Sequence, residues 1–182
     1  LAPRSLPAAR AAAGTAVAAT DGVMTGAFEH AFCAIRPPGH HAETRLAMGF
    51  CFFNNIAVAA RRAIEVHGLE RVAIVDFDVH HGNGSAEIFA DDPRVMLCSS
   101  FQHPFYPNRG TDIGFDHIVL TPLAEGTASR AFRQAIERDW LPALERHRPQ
   151  LILVSAGFDA HRDDPLGGLD LATDDYRWIT EL

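Results

Sequence analysis

The order of apolar and polar residues divides the chain into short continuous runs and longer mixed segments. Ser5 to about Met24 is alanine-rich with scattered polar residues and predicts a helix, closed by Gly26. Ala31-Phe32-Cys33-Ala34-Ile35 predicts a short buried strand. Arg36-Pro37-Pro38-Gly39 stops it, because paired prolines cannot continue a ladder. A loop follows through Gly49. Asn54 or Asn55 is placed to cap a helix running to about His67, ended by Gly68. Val72-Ala73-Ile74-Val75 is continuous and largely β-branched, which suits a parallel strand covered on both faces.

After Gly82-Asn83-Gly84 a short helix is predicted from Ser85 to Ala90, then a strand from Val95 to Cys98. Residues 99–116 carry Pro104, Pro107, Gly110 and Gly114 and read as an ordered loop. Ile118-Val119-Leu120 is a strand, and Thr127 to about His147 is an amphipathic helix with a kink expected at Pro142. Leu151-Ile152-Leu153-Val154 is the next strand, and Thr173 is placed to cap a last helix from Asp174. Strands alternating with helices predict an α/β fold, a mainly parallel open sheet flanked by helices. No linker, repeat or low-complexity segment interrupts it.

Composition narrows the function. The 182 residues suit a single domain. The chain opens on Leu1 and closes on Leu182 inside a predicted helix, which reads as a piece of something longer. The net charge is -7, and every basic residue other than histidine is arginine. Without lysine there is no phosphate-loop lysine and no Schiff-base nucleophile. An acidic chain without basic runs is a poor binder of nucleic acid or anionic membranes. The longest apolar runs fall short of the ~18 residues a membrane span needs, and no signal peptide is visible. Cys33, Cys51 and Cys98 are odd in number, form no C-x-x-C pair and sit among apolar residues. They read as small core residues in a reducing compartment, the cytoplasm.

Polar residues gather where predicted strands end, the edge at which open parallel sheets bind ligands. Asp76, Asp78 and His80 alternate after the strand 72–75, so in extended chain all three point to one side. Two carboxylates and an imidazole on one face are costly to bury unless a cation neutralises them. Their oxygen and nitrogen donors suit zinc, iron or manganese. Asp159 follows the strand 151–154 in the equivalent place and offers a third ligand, although such an aspartate also forms turns. Three protein ligands leave a position open for water. A rival reading takes Asp76-x-Asp78 as a phosphatase nucleophile, with Arg162, Asp163 and Asp164 as its partners. It leaves His40, His41, His80 and His81 without a task.

The motifs R-P-P-G-H-H at 36–41, G-F-C-F-F-N-N at 49–55, D-F-D-V-H-H-G-N-G at 76–84 and S-A-G-F-D-A-H-R-D-D-P-L-G-G at 155–168 stand in order along the chain. On them the chain resembles the zinc-dependent histone deacetylase superfamily, whose bacterial members include histone-deacetylase-like and acetylpolyamine amidohydrolases. The asparagine in H-H-G-N-G and the G-F-D-A-H stretch look more like the class II branch. The resemblance implies the arginase/deacetylase fold, with residues 1–182 as the central segment of a single catalytic domain, incomplete at both ends. It implies zinc on Asp78, His80 and Asp159. It implies proton transfer by His40 and His41, with Asp76 orienting the first and Asn83 holding the second without adding negative charge. Gly49, Phe50 and Tyr106 match the walls of an acyl-lysine channel. Potassium is implied at the Asp76 side chain, the carbonyls of Asp78, His80 and Ser100, and the Ser99 hydroxyl. The implied reaction is removal of acetyl or other acyl groups from lysine side chains of proteins or from polyamines. His161 gives a second D-x-H, which the family pattern does not use as a ligand. Cys51 reads as packing. The family also uses a tyrosine as oxyanion donor, and neither Tyr106 nor Tyr176 fits that role. A chain that only binds acyl-lysine is therefore the alternative expectation.

Overall fold

Val72–Asp76 is buried along its whole length because it lies inside a sheet with helices on both faces. This computed structural model describes residues 2–112 and 114–182. The elements in order are α1 (Ser5–Met24), α2 (Asn55–Glu65), β1 (Val72–Asp76), α3 (Asn83–Phe89) and β2 (Val95–Gln102). They continue with β3 (Ile118–Leu123), α4 (Ser129–His147), β4 (Leu151–Ser155) and α5 (Thr173–Glu181). Four parallel strands lie in the order β3-β2-β1-β4.

Alternation along the inner strands divides the core in two. Val72, Ile74, Val95 and Leu97 face Ala57, Ala60 and Ile64 of α2 and Phe89 of α3. Ala73, Val75, Met96 and Cys98 face Phe132, Ile136 and Trp140 of α4. Both edge strands are less covered. β3 contains Pro122, which cannot donate to a ladder and suits an edge. β4 leaves Ile152 and Val154 about half exposed. Parallel pairing of Asp76 with Ser155 and with Ser99 brings the ends of β1 and β4 to one level beside the middle of β2, which is where the chemistry collects.

Helix ends follow the expected chemistry in part. The Asn54 side chain accepts from Ala57 N–H and caps α2. Thr173 is not a cap but the first residue of α5. Ala172 occupies the cap position, and the Asp175 carboxylate reaches back to its N–H at 2.8 Å. α3 begins two residues earlier than expected, and Pro142 lies inside the span of α4.

Three expectations need larger corrections. The run 31–35 is irregular, and Phe32 is 76% exposed. Apolar character alone makes no strand, and this run pairs with neither edge of the sheet. Cys33 is accordingly only partly buried, unlike Cys51 and Cys98, though all three cysteines are free. The loop expected from 99 begins later, since β2 stays wholly buried through Gln102. Its polar side chains are satisfied inside: Gln102 Oε1 accepts from Gly168 N–H at 2.7 Å.

Candidate metal centre

Beyond Asp76 two backbone amides turn to local carboxylates. Asp78 N–H donates to Asp76 Oδ1 at 3.2 Å, and His80 N–H donates to Asp78 Oδ1 at 2.8 Å. This carboxylate-led turn carries Asp78 and His80 out over the sheet edge. From the end of β4, Asp159 reaches across, its Oδ1 accepting from Val79 N–H at 2.8 Å. Gly157 makes that approach possible, since a side chain there would run into the Asp78 carboxylate.

One ligand atom each from Asp78, His80 and Asp159 lies within 4.8 Å of the others. His80 Nδ1 sits 2.9 Å from Asp78 Oδ1 and 3.1 Å from Asp159 Oδ2. Two carboxylates therefore face one imidazole nitrogen, an arrangement that a cation or a ring proton between them neutralises. Burial works against a charged His80, but hydrogen bonds from Asp159 and Asp78 outweigh it and hold the ring up to about 9. Burial likewise opposes the Asp78 charge, and His40 and His80 overcome it, leaving that carboxylate below its ordinary range. The donor set of two carboxylate oxygens and one ring nitrogen fits a divalent metal in place of the proton.

The tandem histidines stand beside this cluster with centroids 4.0 Å apart. His40 Nδ1 lies 2.9 Å from Asp76 Oδ2, and its Nε2 lies 3.8 Å from Asp78 Oδ2. Asp76 is completely buried. Burial disfavours a charged His40, yet Asp76 and Asp78 more than offset it and raise the ring to about 9. Burial raises Asp76 too, so the pair retains one proton near neutrality. His41 Nδ1 lies 2.8 Å from Asn83 Oδ1. Burial, then the neighbouring His40 charge, push His41 down to about 4. The two adjacent histidines are thus pushed in opposite directions, His40 up and His41 down.

Aromatic rings frame the histidines. Tyr106 stands edge-on to His41 at 5.2 Å and to His80 at 5.9 Å. Phe105, which no sequence motif singled out, stacks on His80 at 5.1 Å. Gly49 and Phe50 both have left-handed backbone, with φ of 54° and 63°, between the bridged residues Met48 and Cys51. Gly49 is needed there because a side chain would strike the His41 ring. Phe50 pays a conformational cost of about 1–3 kcal/mol and is 88% exposed. Its ring packs on no other aromatic ring among the described residues. Cys51 is buried, which pushes its thiol up to about 11 and suits packing rather than attack.

Other anticipated residues lie around this centre. Asp76 and Ser99 are register partners, and the Ser99 hydroxyl is 3.3 Å from His81 Nδ1. Ser100 is buried one residue further along β2. His161 stays outside the cluster, accepting from Asp163 N–H and stacking on Tyr176. Tyr176 donates its hydroxyl to the Phe158 carbonyl at 3.2 Å. Glu43 was missed: it lies two residues beyond His41 and receives Asn83 Nδ2 at 2.7 Å. Only the folded arrangement, 40 residues apart in sequence, reveals that contact.

A parallel sheet with an Asp-His-Asp cluster at its carboxyl edge defines an α/β protein of the arginase/deacetylase fold. The Histone deacetylase domain family matches residues 1–182, and the chain belongs to that family. A histone deacetylase-like amidohydrolase of Pseudomonas aeruginosa is 45% identical over 99% of this chain and 49% of its own length. A polyamine deacetylase HDAC10 of Rattus norvegicus is 39% identical over 99% of this chain and 33% of its own. The crystal structure of an HDA15 HD domain superposes with a TM-score of 0.90 at 40% identity, covering 96% of this chain and 53% of that one. The chain spans about half, or less, of the length of these relatives. Family membership does not favour the phosphatase reading, whose Arg162 faces Asp170 at 3.5 Å. Among the described residues no helix is long and apolar enough to cross a membrane.

Proposed function

We propose that this chain carries the catalytic centre of a zinc-dependent deacylase, acting on acetylated or otherwise acylated lysine side chains or on acetylpolyamines. The observation that carries this reading is the convergence of Asp78, His80 and Asp159 beside two histidines of opposite hydrogen-bonding character. Zinc, when bound by those three residues, lowers the pKa of a water and polarises an amide carbonyl. His41 has its Nδ1 turned to Asn83, so its Nε2 is free to take a proton from the attacking water. His40, charged and anchored on Asp76, gives a proton to the departing amine. Tyr106, Phe105 and Phe50 offer apolar surface to a neutral acyl-lysine stem, which they favour over charged lysine.

The same reading places a structural potassium ion among the Asp76 side chain, the Ser99 hydroxyl and the carbonyls of Asp78, His80 and Ser100, an all-oxygen set. It takes residues 1–182 as part of a single catalytic domain. A cytoplasmic setting is supported by three free cysteines. The charge of -7 argues against direct nucleic-acid binding.

A second reading, a module that binds acyl-lysine without turnover, rests on the tyrosines. Tyr176 has its hydroxyl engaged by Phe158, and Tyr106 lies edge-on to the histidines, which leaves the oxyanion donor role unfilled by either. Two measurements separate the readings. Stoichiometric zinc with hydrolysis of an acetyl-lysine peptide supports the deacylase. Zinc with hydroxamate binding but no hydrolysis supports the binding module, and absence of both removes each.

A further inference from the structure

On the far side of His41 lies a carboxylate to which the reaction so far gives no role. The Glu43 side chain is only 11% exposed, and its Oε1 accepts from Asn83 Nδ2 at 2.7 Å. The other end of the same amide, Asn83 Oδ1, lies 2.8 Å from His41 Nδ1. Arg109 Nε closes the line behind Glu43 at 3.2 Å. His41, Asn83 and Glu43 therefore form a single hydrogen-bonded row.

The chemistry of the row has a direction. An asparagine amide presents an acceptor on one side and a donor on the other, and a half-turn about its last bond exchanges them. A carboxylate only accepts, so Glu43 selects the orientation that puts Nδ2 towards itself and Oδ1 towards His41. An amide oxygen also only accepts, so His41 must place its proton on Nδ1. Nδ2 has two other neighbours, the His41 carbonyl at 3.4 Å and the Met48 sulfur at 3.3 Å. Both favour the same orientation, but they are longer and uncharged, and charge-assisted bonds are the stronger kind. The support is shared as well. Thr44 donates from its N–H and its hydroxyl to Glu87 Oε2 at 2.9 and 2.8 Å, tying the segment after His41 to α3. Asn83 is the first residue of that same helix.

We propose that Glu43 is a positioning residue for deacylation: by fixing the Asn83 amide it holds His41 in the Nδ1–H tautomer, with Nε2 open to accept a proton. The proposal rests on the reading of His41 as the base. Glu43 touches no reacting atom and acts through Asn83. An asparagine in this place lacks the charge of a carboxylate, and Glu43 supplies that charge one hydrogen bond further out.

The test reads the His41 ring nitrogens by NMR in full-length, zinc-loaded protein labelled with 15N-histidine, assigned by the signals lost in His41→Phe. Wild type and Glu43→Gln, which keeps an acceptor oxygen, show the proton on Nδ1. Glu43→Leu shifts the signals towards Nε2–H and lowers kcat on an acetyl-lysine peptide about 10-fold or more, with KM within about threefold. Adding Asn83→Asp to Glu43→Leu restores the Nδ1–H signature, because a carboxylate offers His41 no donor. Glu43→Ser, too short to reach Asn83, replaces Glu43→Leu if the latter does not fold. A folded variant without the acceptor whose His41 signals match wild type overturns the proposal, as does failure of Asn83→Asp to restore them. If wild-type protein hydrolyses no acyl-lysine substrate, the deacylase reading falls, while the nitrogen signals still decide the part about Glu43.

Discussion

The His40 ring turns its Nδ1 to the fully buried Asp76 carboxylate at 2.9 Å, which raises the histidine above its ordinary range. In the proposed reaction this pair suits the first histidine to act as the acid and its neighbour as the base. Asp76→Asn removes the charge that raises His40. We expect kcat on an acetyl-lysine peptide to fall about 100-fold or more, the low end of what general acid catalysis contributes. Because loss of the carboxylate lowers the His40 pKa, the alkaline limb of the pH–rate profile moves to lower pH. An alkaline limb that stays in place would detach Asp76 from proton transfer.

Asp159 combines two tasks that one substitution can separate. Its Oδ1 accepts from Val79 N–H at 2.8 Å, and its Oδ2 faces His80 Nδ1 at 3.1 Å. Asp159→Asn keeps an oxygen for Val79 but loses the charge. Metal analysis should show zinc well below stoichiometric, while the metal-free protein melts close to wild type. Full zinc occupancy in this variant would remove Asp159 from the ligand set.

Gly157→Ala places a methyl against the Asp78 carboxylate. Overpacking of this kind costs about 1–3 kcal/mol, readable as a lower midpoint in chemical denaturation. Zinc affinity should also fall about 10-fold or more as Asp78 is displaced. A variant equal to wild type in both would show that the two strand ends move apart freely.

Away from the site, Asp21 ties α1 to α2. It receives Arg62 at 2.8 and 2.9 Å and His67 at 2.7 Å. Those hydrogen bonds, Arg62 first, hold its carboxyl at about 2 against an ordinary 3.8. A depressed carboxyl contributes stability that is present above 3.8 and is lost as pH falls towards 2. Asp21→Asn should therefore melt below wild type at pH 7, with the difference closing between those two values. A gap that persists at the acid end would assign the effect to packing instead.

Much of this organisation was legible in sequence because it depends on neighbours along the chain. The run 72–75 announced a buried parallel strand, and Asp78 and His80 a polar cluster beyond it, although the chain turns after Asp76 instead of staying extended and Asp76 pairs with His40. Asn54 announced the start of α2 through its own side chain. What escaped depends on partners distant in sequence. Apolar residues 31–35 resemble a strand until one asks what they pair with. The polar half of β2 resembles a loop because Ser99, Ser100 and Gln102 are hydrophilic, and only their buried partners explain why the strand continues. Glu43 follows the tandem histidines without any motif of its own, and its meaning comes from Asn83. Roles carried over from the family resemblance, such as those of Phe50 and potassium, rest on that resemblance rather than on spacing.

The pairing of β1 with β4 across the intervening β2, β3 and α4 also sets a timetable for synthesis. Val79 and Asp159, which meet by a hydrogen bond, lie 80 residues apart. At roughly 5–20 residues per second on a ribosome, Asp159 emerges about 4–16 s after Asp78 and His80. During that interval the turn holding Asp78 and His80 lacks the carboxylate that accepts from Val79 N–H. The Asp-His-Asp cluster is therefore completed only when β4 joins the sheet.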